Sequence, residues 1–215
     1  MLRLPEGMAR KPGGELRKAG GREAIAECIG LIKEDAKEKL EYLGLGLGPF
    51  RLAALYLLDA GFCAVANYRI PQVLLSRGHR FAARLLMKLT ERATTITISI
   101  EARIGRRFCI LHGHNIVIGG AEIGDDCHVM HGVTVGGNFG KRRTEESELE
   151  FTKPRIGNNV FLAAGCAVIG PVVIGDGVIV GANSVVSFDV PANSVVRVEK
   201  AAIMPRDSMK GRFRL

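Results

Sequence analysis

The chain has no closely spaced pair of cysteines and no long apolar run, and each absence excludes a class of protein. The five cysteines include no pair spaced as Cys-x-x-Cys, so the sequence predicts neither a disulfide framework nor a structural zinc site. The longest apolar run, Leu52 to Ala66, is interrupted by Asp59 and is shorter than the roughly 20 residues that cross a bilayer. No signal peptide is recognisable, and we expect a cytoplasmic protein without a transmembrane segment.

Aromatic residues are also scarce, and the positive charge is confined to the ends of the chain. Residues 1–22 carry six Lys or Arg and two Glu, a sum of +4. Residues 197–215 carry six Lys or Arg, one Glu and one Asp, which is again +4, so that 23–196 is neutral within a total of +8. Only 6% of the chain is Phe, Trp or Tyr, the side chains on which nucleic-acid bases stack. The sequence therefore predicts solvated basic tails and no nucleic-acid partner.

What the chain does have is a six-residue rhythm. Aliphatic residues occupy every sixth position from Ile156 to Val186. Six matches neither a helix period near 3.6 nor a strand period of 2, so each repeat needs one short strand and one turn. The fourth position after each aliphatic residue is small or β-branched, and it includes Cys166 here and Cys127 in an earlier repeat. This pattern predicts a solenoid with three flat faces, in which both positions face inward.

The rhythm starts earlier and has two interruptions. It runs through Ile98, Ile104 and Ile110, slips by one residue across Leu111 to Asn115, and resumes as Val117, Ile123, Val129 and Val135. Such irregularities often lie beside active sites, and this one contains His112 and His114. The second interruption, 138–155, is charged and has no rhythm, so we expect an extruded loop.

The region before the solenoid has helical patterning. Apolar residues at helical spacing predict helices at Ala24 to Tyr42, Phe50 to Asn67 and Pro71 to Ala93. We divide the chain into a flexible basic tail at 1–22, a helical domain at 23–95, the solenoid at 96–196 and a basic tail at 197–215.

Two segments, 102–137 and 153–196, resemble the hexapeptide-repeat acetyltransferases, in particular the serine acetyltransferase subgroup. Residues 31–37 and 67–86 are similar to the helical domain of that subgroup, and the likeness covers most of 25–203. It implies a left-handed parallel β-helix preceded by an α-helical domain. It also implies a homotrimer, or a hexamer formed through the helical domain, with acetyl-CoA as co-substrate along the groove between adjacent prisms and no metal required.

The resemblance assigns roles to individual residues. His112 matches the catalytic general base of the family, and imidazole is the side chain best suited to accept a proton near neutral pH. His114 and His131 are candidates for acceptor binding, as is Lys153. The cofactor-binding candidates, which the resemblance places along pantetheine and the CoA phosphates, are Gly136, Gly137, Ala163, Ala164, Gly181, Ala182 and Lys200, with Arg197 beside them.

Several family positions for serine recognition are replaced. Where the family has an Asp directly before the catalytic His, this chain has Leu111, and where the family has the Asp that orients that His, it has Thr97. The position of the family's second His is occupied by Lys153. The serine-binding Asp of the helical domain has no match near 48–52. Because a free amino acid is selected by paired contacts to its charges, we predict a sugar or polysaccharide-precursor hydroxyl as acceptor, with serine as the alternative. The segments 104–113, 124–134 and 198–201 resemble the exopolysaccharide (colanic-acid-type) branch most closely.

Two other functional classes stay open at this point. A zinc-dependent hydratase of the carbonic-anhydrase type would use three histidines converging on one metal, and the chain has His112, His114, His128 and His131 in the solenoid. A non-catalytic structural prism is favoured by the residues at 97 and 111. The C-terminal GRFRL lacks the terminal Ile by which the family binds its sulfhydrylase partner, so no such complex is predicted.

Overall fold

The computed structural model describes residues 21–137, 143–144 and 150–199, and it begins with four α-helices. These are α1 (Gly21–Tyr42), α2 (Pro49–Leu58), α3 (Ala60–Ser76) and α4 (Arg80–Thr94). Helix α3 packs against both α1 and α4, and α4 leads directly into the first strand. Among the described residues no single helix is long and apolar enough to cross a membrane; α2 and α3 qualify together by length and composition only, and they are bent by 100° at their junction.

The helix boundaries expected from the sequence were wrong in two places. A break at Asp59 divides the predicted helix 50–67, because the Asp59 carboxylate accepts a hydrogen bond from the backbone of Phe62 and caps α3. The predicted start of a helix at Pro71 is also incorrect, since α3 continues through this proline to Ser76. The chain then turns at Gly78, which has a φ of +83°, a conformation that glycine adopts without strain.

Apart from one short antiparallel pair of strands, the rest of the described chain is a three-sided solenoid of short parallel strands. Sheet A contains β1 (Ile96–Ile98), β4 (Ile116–Ile118), β7 (Thr134–Gly136), β12 (Ala167–Ile169) and β15 (Val185–Val186). Sheet B contains β2 (Arg103–Ile104), β5 (Glu122–Ile123), β10 (Arg155–Ile156) and β13 (Val173–Ile174). Sheet C contains β3 (Cys109–Ile110), β6 (His128–Val129), β11 (Phe161–Leu162), β14 (Ile179–Val180) and β16 (Val195–Val196).

The solenoid has about five turns and matches the left-handed β-helix predicted from the sequence. In its regular part each aliphatic residue pairs with the one 18 positions later, as Ile156 does with Ile174 and Leu162 with Val180. These side chains are buried in a continuous axial core. Cys127 and Cys166 are buried in the same core, as the repeat pattern predicted.

One inward position was assigned incorrectly. Val117 is 46% exposed, whereas its neighbours Ile116 and Ile118 are fully buried. The residue that continues the repeat after Ile110 is therefore Ile118, eight positions later instead of six, and Ile123 follows after only five. Two extra residues are accommodated in the corner that contains His112 and His114, so the irregularity is larger than the one-residue slip expected.

The second interruption contains a short antiparallel hairpin. Strand β8 (Arg143–Thr144) pairs with β9 (Glu150–Phe151). The aromatic ring of Phe151 is buried and lies 4.3 Å from the guanidinium carbon of Arg155, a cation–π geometry. The hairpin therefore returns the chain to the prism immediately before β10.

Candidate functional site

The predicted site residues that the structure describes lie on two different edges of the prism, at the two sides of sheet A. The corners from sheet C to sheet A form the histidine edge (residues 111–115, 130–132, 163–165 and 181–183). The corners from sheet A to sheet B form the glycine edge (residues 119–121, 136–137, 153–154 and 170–172). Because sheet A separates them, a single chain does not bring all of the predicted site residues together.

The histidine edge holds His112, His114 and His131, and all three side chains are exposed. The ring centroids of His112 and His131 are 6.0 Å apart, and the rings are inclined by 67°. The corners are stacked by backbone hydrogen bonds, since Gly132 donates to the carbonyl of His114 at 2.9 Å. The structure thus places two exposed imidazoles next to each other on adjacent coils.

The next two corners after that of His131 carry small residues. Ala163 and Ala164 follow β11, and Gly181 and Ala182 follow β14 on the next coil. Gly165 donates to the carbonyl of His131, and Asn183 donates to the carbonyl of Ala164, both at 2.9 Å. The histidine edge therefore continues as a track of short side chains along the prism axis.

Gly136, Gly137 and Lys153 lie on the glycine edge. A Cβ on Gly136 would meet nothing within 4 Å, whereas one on Gly137 would lie 2.9 Å from the carbonyl oxygen of Thr152. The ammonium group of Lys153 lies over Gly120 and is paired with the carboxylate of Glu101. Thus Lys153 is a cation held at the glycine edge and not beside His112 in the same chain.

One of the two candidates for the CoA phosphates, Arg197, lies at the C-terminal end of the track. Arg197 is exposed and follows β16, and its Cα would lie 3.5 Å from a Cβ on Gly181. It therefore extends the histidine edge by one more coil. Lys200 lies outside the described residues.

Other chemistry at the prism is restricted by burial. Burial raises the pKa of the Cys109, Cys127 and Cys166 thiols to about 12, so these groups are protonated and are poor nucleophiles near neutral pH. His128 is half-buried on sheet C, where its Nε2 is 3.0 Å from Glu38 of α1. Within the ranges that the structure describes, no group of three or more His, Cys, Asp or Glu side chains could hold a metal ion.

Two buried ionic clusters attach the helices to the first coil, and the sequence patterns did not identify them. Arg69 of α3 donates to Asp35 of α1 and to the carbonyls of Ile104 and Gly105, while Asp35 accepts from the backbone of Phe108. Burial raises the pKa of the Asp35 carboxyl, an effect that the adjacent Arg69 guanidinium opposes.

The second cluster is centred on Lys39. Its ammonium donates to the carbonyls of Ile110 and Leu111 and pairs with Asp59. A sequence signal for both clusters was present. Asp35 and Lys39 are charged residues next to the apolar stripe of α1, and such charges are buried in proteins when they have partners.

Known proteins resemble this chain in sequence. Residues 153–187 match the family described as bacterial transferase hexapeptide (six repeats). A serine acetyltransferase of Helicobacter pylori is 40% identical over 152 residues, which are 70% of this chain and 85% of the relative. A serine acetyltransferase of Bacillus subtilis is 35% identical over 77% of this chain and 72% of its own length.

The chain belongs to the hexapeptide-repeat acetyltransferases. Among solved structures, serine acetyltransferase isoform 3 of Entamoeba histolytica in complex with cysteine matches 90% of this acetyltransferase with a TM-score of 0.71 and 27% identity. This chain spans 66% of that protein. The serine acetyltransferase of Neisseria gonorrhoeae in complex with serine matches with a TM-score of 0.68 and 26% identity, over 83% of this chain and 69% of its own.

These relatives bear on the predicted acceptor. All four carry the name serine acetyltransferase, so they support the alternative acceptor, serine, better than the sugar hydroxyl that the substituted positions favoured. The closeness to the exopolysaccharide branch stays a prediction, and so do the individual site residues.

Proposed function

We propose that this acetyltransferase is a serine O-acetyltransferase that uses acetyl-CoA as co-substrate, a reaction suited to the cytoplasm. The observation that carries the proposal is the histidine edge, where the exposed His112 and His131 lie on the coils that precede a row of small residues. Imidazoles next to a surface that admits a long cofactor are what acyl transfer from a thioester to a hydroxyl requires. The relatives named serine acetyltransferase identify the first acceptor to test.

In the proposed reaction His112 acts as general base. Its imidazole removes the proton of the acceptor hydroxyl while that oxygen attacks the thioester carbonyl of acetyl-CoA. The resulting tetrahedral intermediate collapses, the bond from carbon to sulfur breaks, and the thiolate of CoA takes up the proton from the imidazolium. No covalent enzyme intermediate is needed, because the thioester is already activated and the two substrates need only be aligned.

The acceptor would be bound by His114 and His131 of one copy together with Lys153 from the glycine edge of a second copy. The Lys153 ammonium can pair with a carboxylate such as that of serine, although it must first leave Glu101. A second candidate acceptor is a sugar hydroxyl. It is favoured by Leu111, whose side chain is 7% exposed and provides no charged group next to His112 to pair with an ammonium.

The cofactor would lie between two prisms. The histidine edge of one copy and the glycine edge of another would form the two walls of a groove, with Gly136, Gly137, Ala163, Ala164, Gly181 and Ala182 along pantetheine and Arg197 and Lys200 at the phosphates. The outward side chains of sheet A include the exposed Val117 and Val185, which favours packing of this face in a homotrimer. A hexamer would join two trimers through the exposed apolar residues of α2 and α4, Phe50, Leu57, Leu58 and Phe81.

Purified protein incubated with acetyl-CoA and a panel of acceptors should release free CoA fastest with L-serine. We expect His112→Ala to lower kcat by at least about a hundredfold, the usual contribution of one general base. His79→Ala is the matched control, because His79 is an exposed histidine on the helical side and its loss should leave kcat unchanged. A sugar as the fastest acceptor would replace serine with the second candidate. No release with any acceptor, or a normal rate in His112→Ala, would contradict the proposal.

A further inference from the structure

The backbone that leads into His112 is held by a lysine from the helical region. Lys39 of α1 donates to the carbonyl of Ile110 at 2.7 Å and to the carbonyl of Leu111 at 2.8 Å. Its third partner is the carboxylate of Asp59, at 3.0 Å. The side chain of Lys39 is only 3% exposed, so all three of its donors are used inside the protein.

These contacts act on the peptide unit that carries His112. The carbonyl of Leu111 belongs to the same planar peptide as the backbone nitrogen of His112, so fixing the carbonyl fixes the orientation from which His112 projects. This corner has two more residues than the equivalent corners of later coils. The longer corner has more conformations available and therefore needs additional partners to adopt one of them.

The start of α3 reinforces the same corner. Asp59, which binds Lys39, also accepts from the backbone of Phe62 at 2.7 Å and so caps α3. A Cβ on Gly61 would lie 2.8 Å from the carbonyl oxygen of Ile110, and a Cβ on Gly113 would collide with the backbone of Gly61. Thus the two glycines allow the helix and the corner to meet backbone to backbone.

We propose that Lys39 is a positioning residue for His112, with Asp59 as the counter-charge that holds Lys39 in place. The proposal rests on the proposed function, because it takes His112 to be the general base. Lys39 stabilises one orientation of the His112 peptide by charge-assisted hydrogen bonds, and the imidazole is thereby aligned with the acceptor hydroxyl. A displacement of about 1 Å at such a group can cost about a hundredfold in rate.

Lys39→Met tests this directly, because methionine keeps the apolar stem and removes the three donors. We expect kcat, measured well below the Tm of the variant, to fall by at least about tenfold with the KM for acetyl-CoA changed by less than about twofold. Lys37→Met is the matched control on the same helix, since the Lys37 side chain is 63% exposed, and it should keep the wild-type kcat. Asp59→Asn keeps the cap of α3 and weakens the hold on Lys39, so it should show a smaller fall of the same kind.

A double-mutant cycle separates positioning from general stability. In a His112→Ala background, Lys39→Met should change the residual rate by less than about twofold, because there is no imidazole left to align. An equal fractional loss in both backgrounds, or a wild-type kcat in a folded Lys39→Met or Asp59→Asn protein, would overturn the proposal. A normal rate in His112→Ala alone would instead contradict the proposed function.

Discussion

At the scale of single residues, Gly136 and Gly181 lack a side chain for different reasons. A Cβ on Gly181 would lie 2.8 Å from the carbonyl oxygen of Val196, so the stacking of the coils requires glycine there. A Cβ on Gly136 would meet nothing within 4 Å. The fold therefore tolerates a larger residue at 136. The absence of a side chain on Gly136 would let a ligand approach the backbone.

Gly136→Leu should fold normally and bind the cofactor more weakly. The added side chain projects from the glycine edge into the proposed groove, where it would block pantetheine. We expect the KM for acetyl-CoA to rise by about tenfold or more, with an unchanged Tm. Gly30→Leu is the matched control, because a Cβ there also meets nothing within 4 Å but lies on α1. An unchanged KM for acetyl-CoA in Gly136→Leu would remove Gly136 from the cofactor site.

At the scale of elements, the corners from sheet B to sheet C are stabilised by polar side chains. Arg107 forms a bidentate ion pair with Asp126 of the next coil. The side chain of Asn158 accepts a hydrogen bond from the backbone of Asp125, and the side chain of Asp176, one coil further, accepts one from the backbone of Asn158. The hydrogen bonds from Arg107 hold the pKa of the Asp126 carboxyl below its usual range. This corner should therefore make the prism sensitive to acid.

Asp126→Asn should lower the Tm at neutral pH, and the loss should disappear in acid. A carboxylate with a lowered pKa in the folded state stabilises the protein above its unfolded pKa, about 3.9, and this stability is lost as pH falls through the folded value. Asparagine suits the φ of +59° at this position, so the backbone is not strained. Melting curves from pH 7 to pH 3 check the result. The difference in Tm between the wild type and Asp126→Asn should shrink below pH 4 and should be absent when both carry Arg107→Gln. A difference that stays constant in acid, or that persists with Arg107→Gln, would contradict the ion pair as its cause.

The elements also explain how far sequence reasoning could reach. Strict six-residue spacing requires a strand and a turn in each repeat, so the solenoid and its core residues from Ile156 to Val186 were predictable. Val117 was assigned to the wrong face, because three consecutive aliphatic residues, Ile116 to Ile118, leave the phase of the repeat ambiguous after an insertion. The break at Asp59 depends on a cap and a buried ion pair, neither of which has a period.

The candidate site was predictable to a different degree. His112 lies in a local irregularity and could be selected from the sequence. The proposed function of Lys39 could not be predicted from the sequence, because it depends on a hydrogen bond to Leu111, 72 positions away. That hydrogen bond forms only when α1 packs on the first coil. Nor could the division of the site between two edges be seen from the spacing of the candidates alone.

At the scale of the whole molecule, that division predicts a site shared between copies of the chain. His112 and the alanine track are at one side of sheet A, and Gly136 and Lys153 are at the other. In a cyclic trimer every histidine edge can face the glycine edge of a neighbour. Sedimentation of the full chain should accordingly give three times, or for a hexamer six times, the chain mass of 23.2 kDa.

Mixing two impaired variants, at an acetyl-CoA concentration well below the raised KM of Gly136→Leu, tests this account most directly. His112→Ala damages only the histidine edge and Gly136→Leu only the glycine edge, so a mixed trimer contains a junction in which both edges are intact. After the two proteins are dissociated, mixed and reassembled, release of CoA from acetyl-CoA should rise well above the sum of the separate rates. A mixture that stays at that sum, although mixed trimers have formed, would contradict an acetyltransferase site built from two chains.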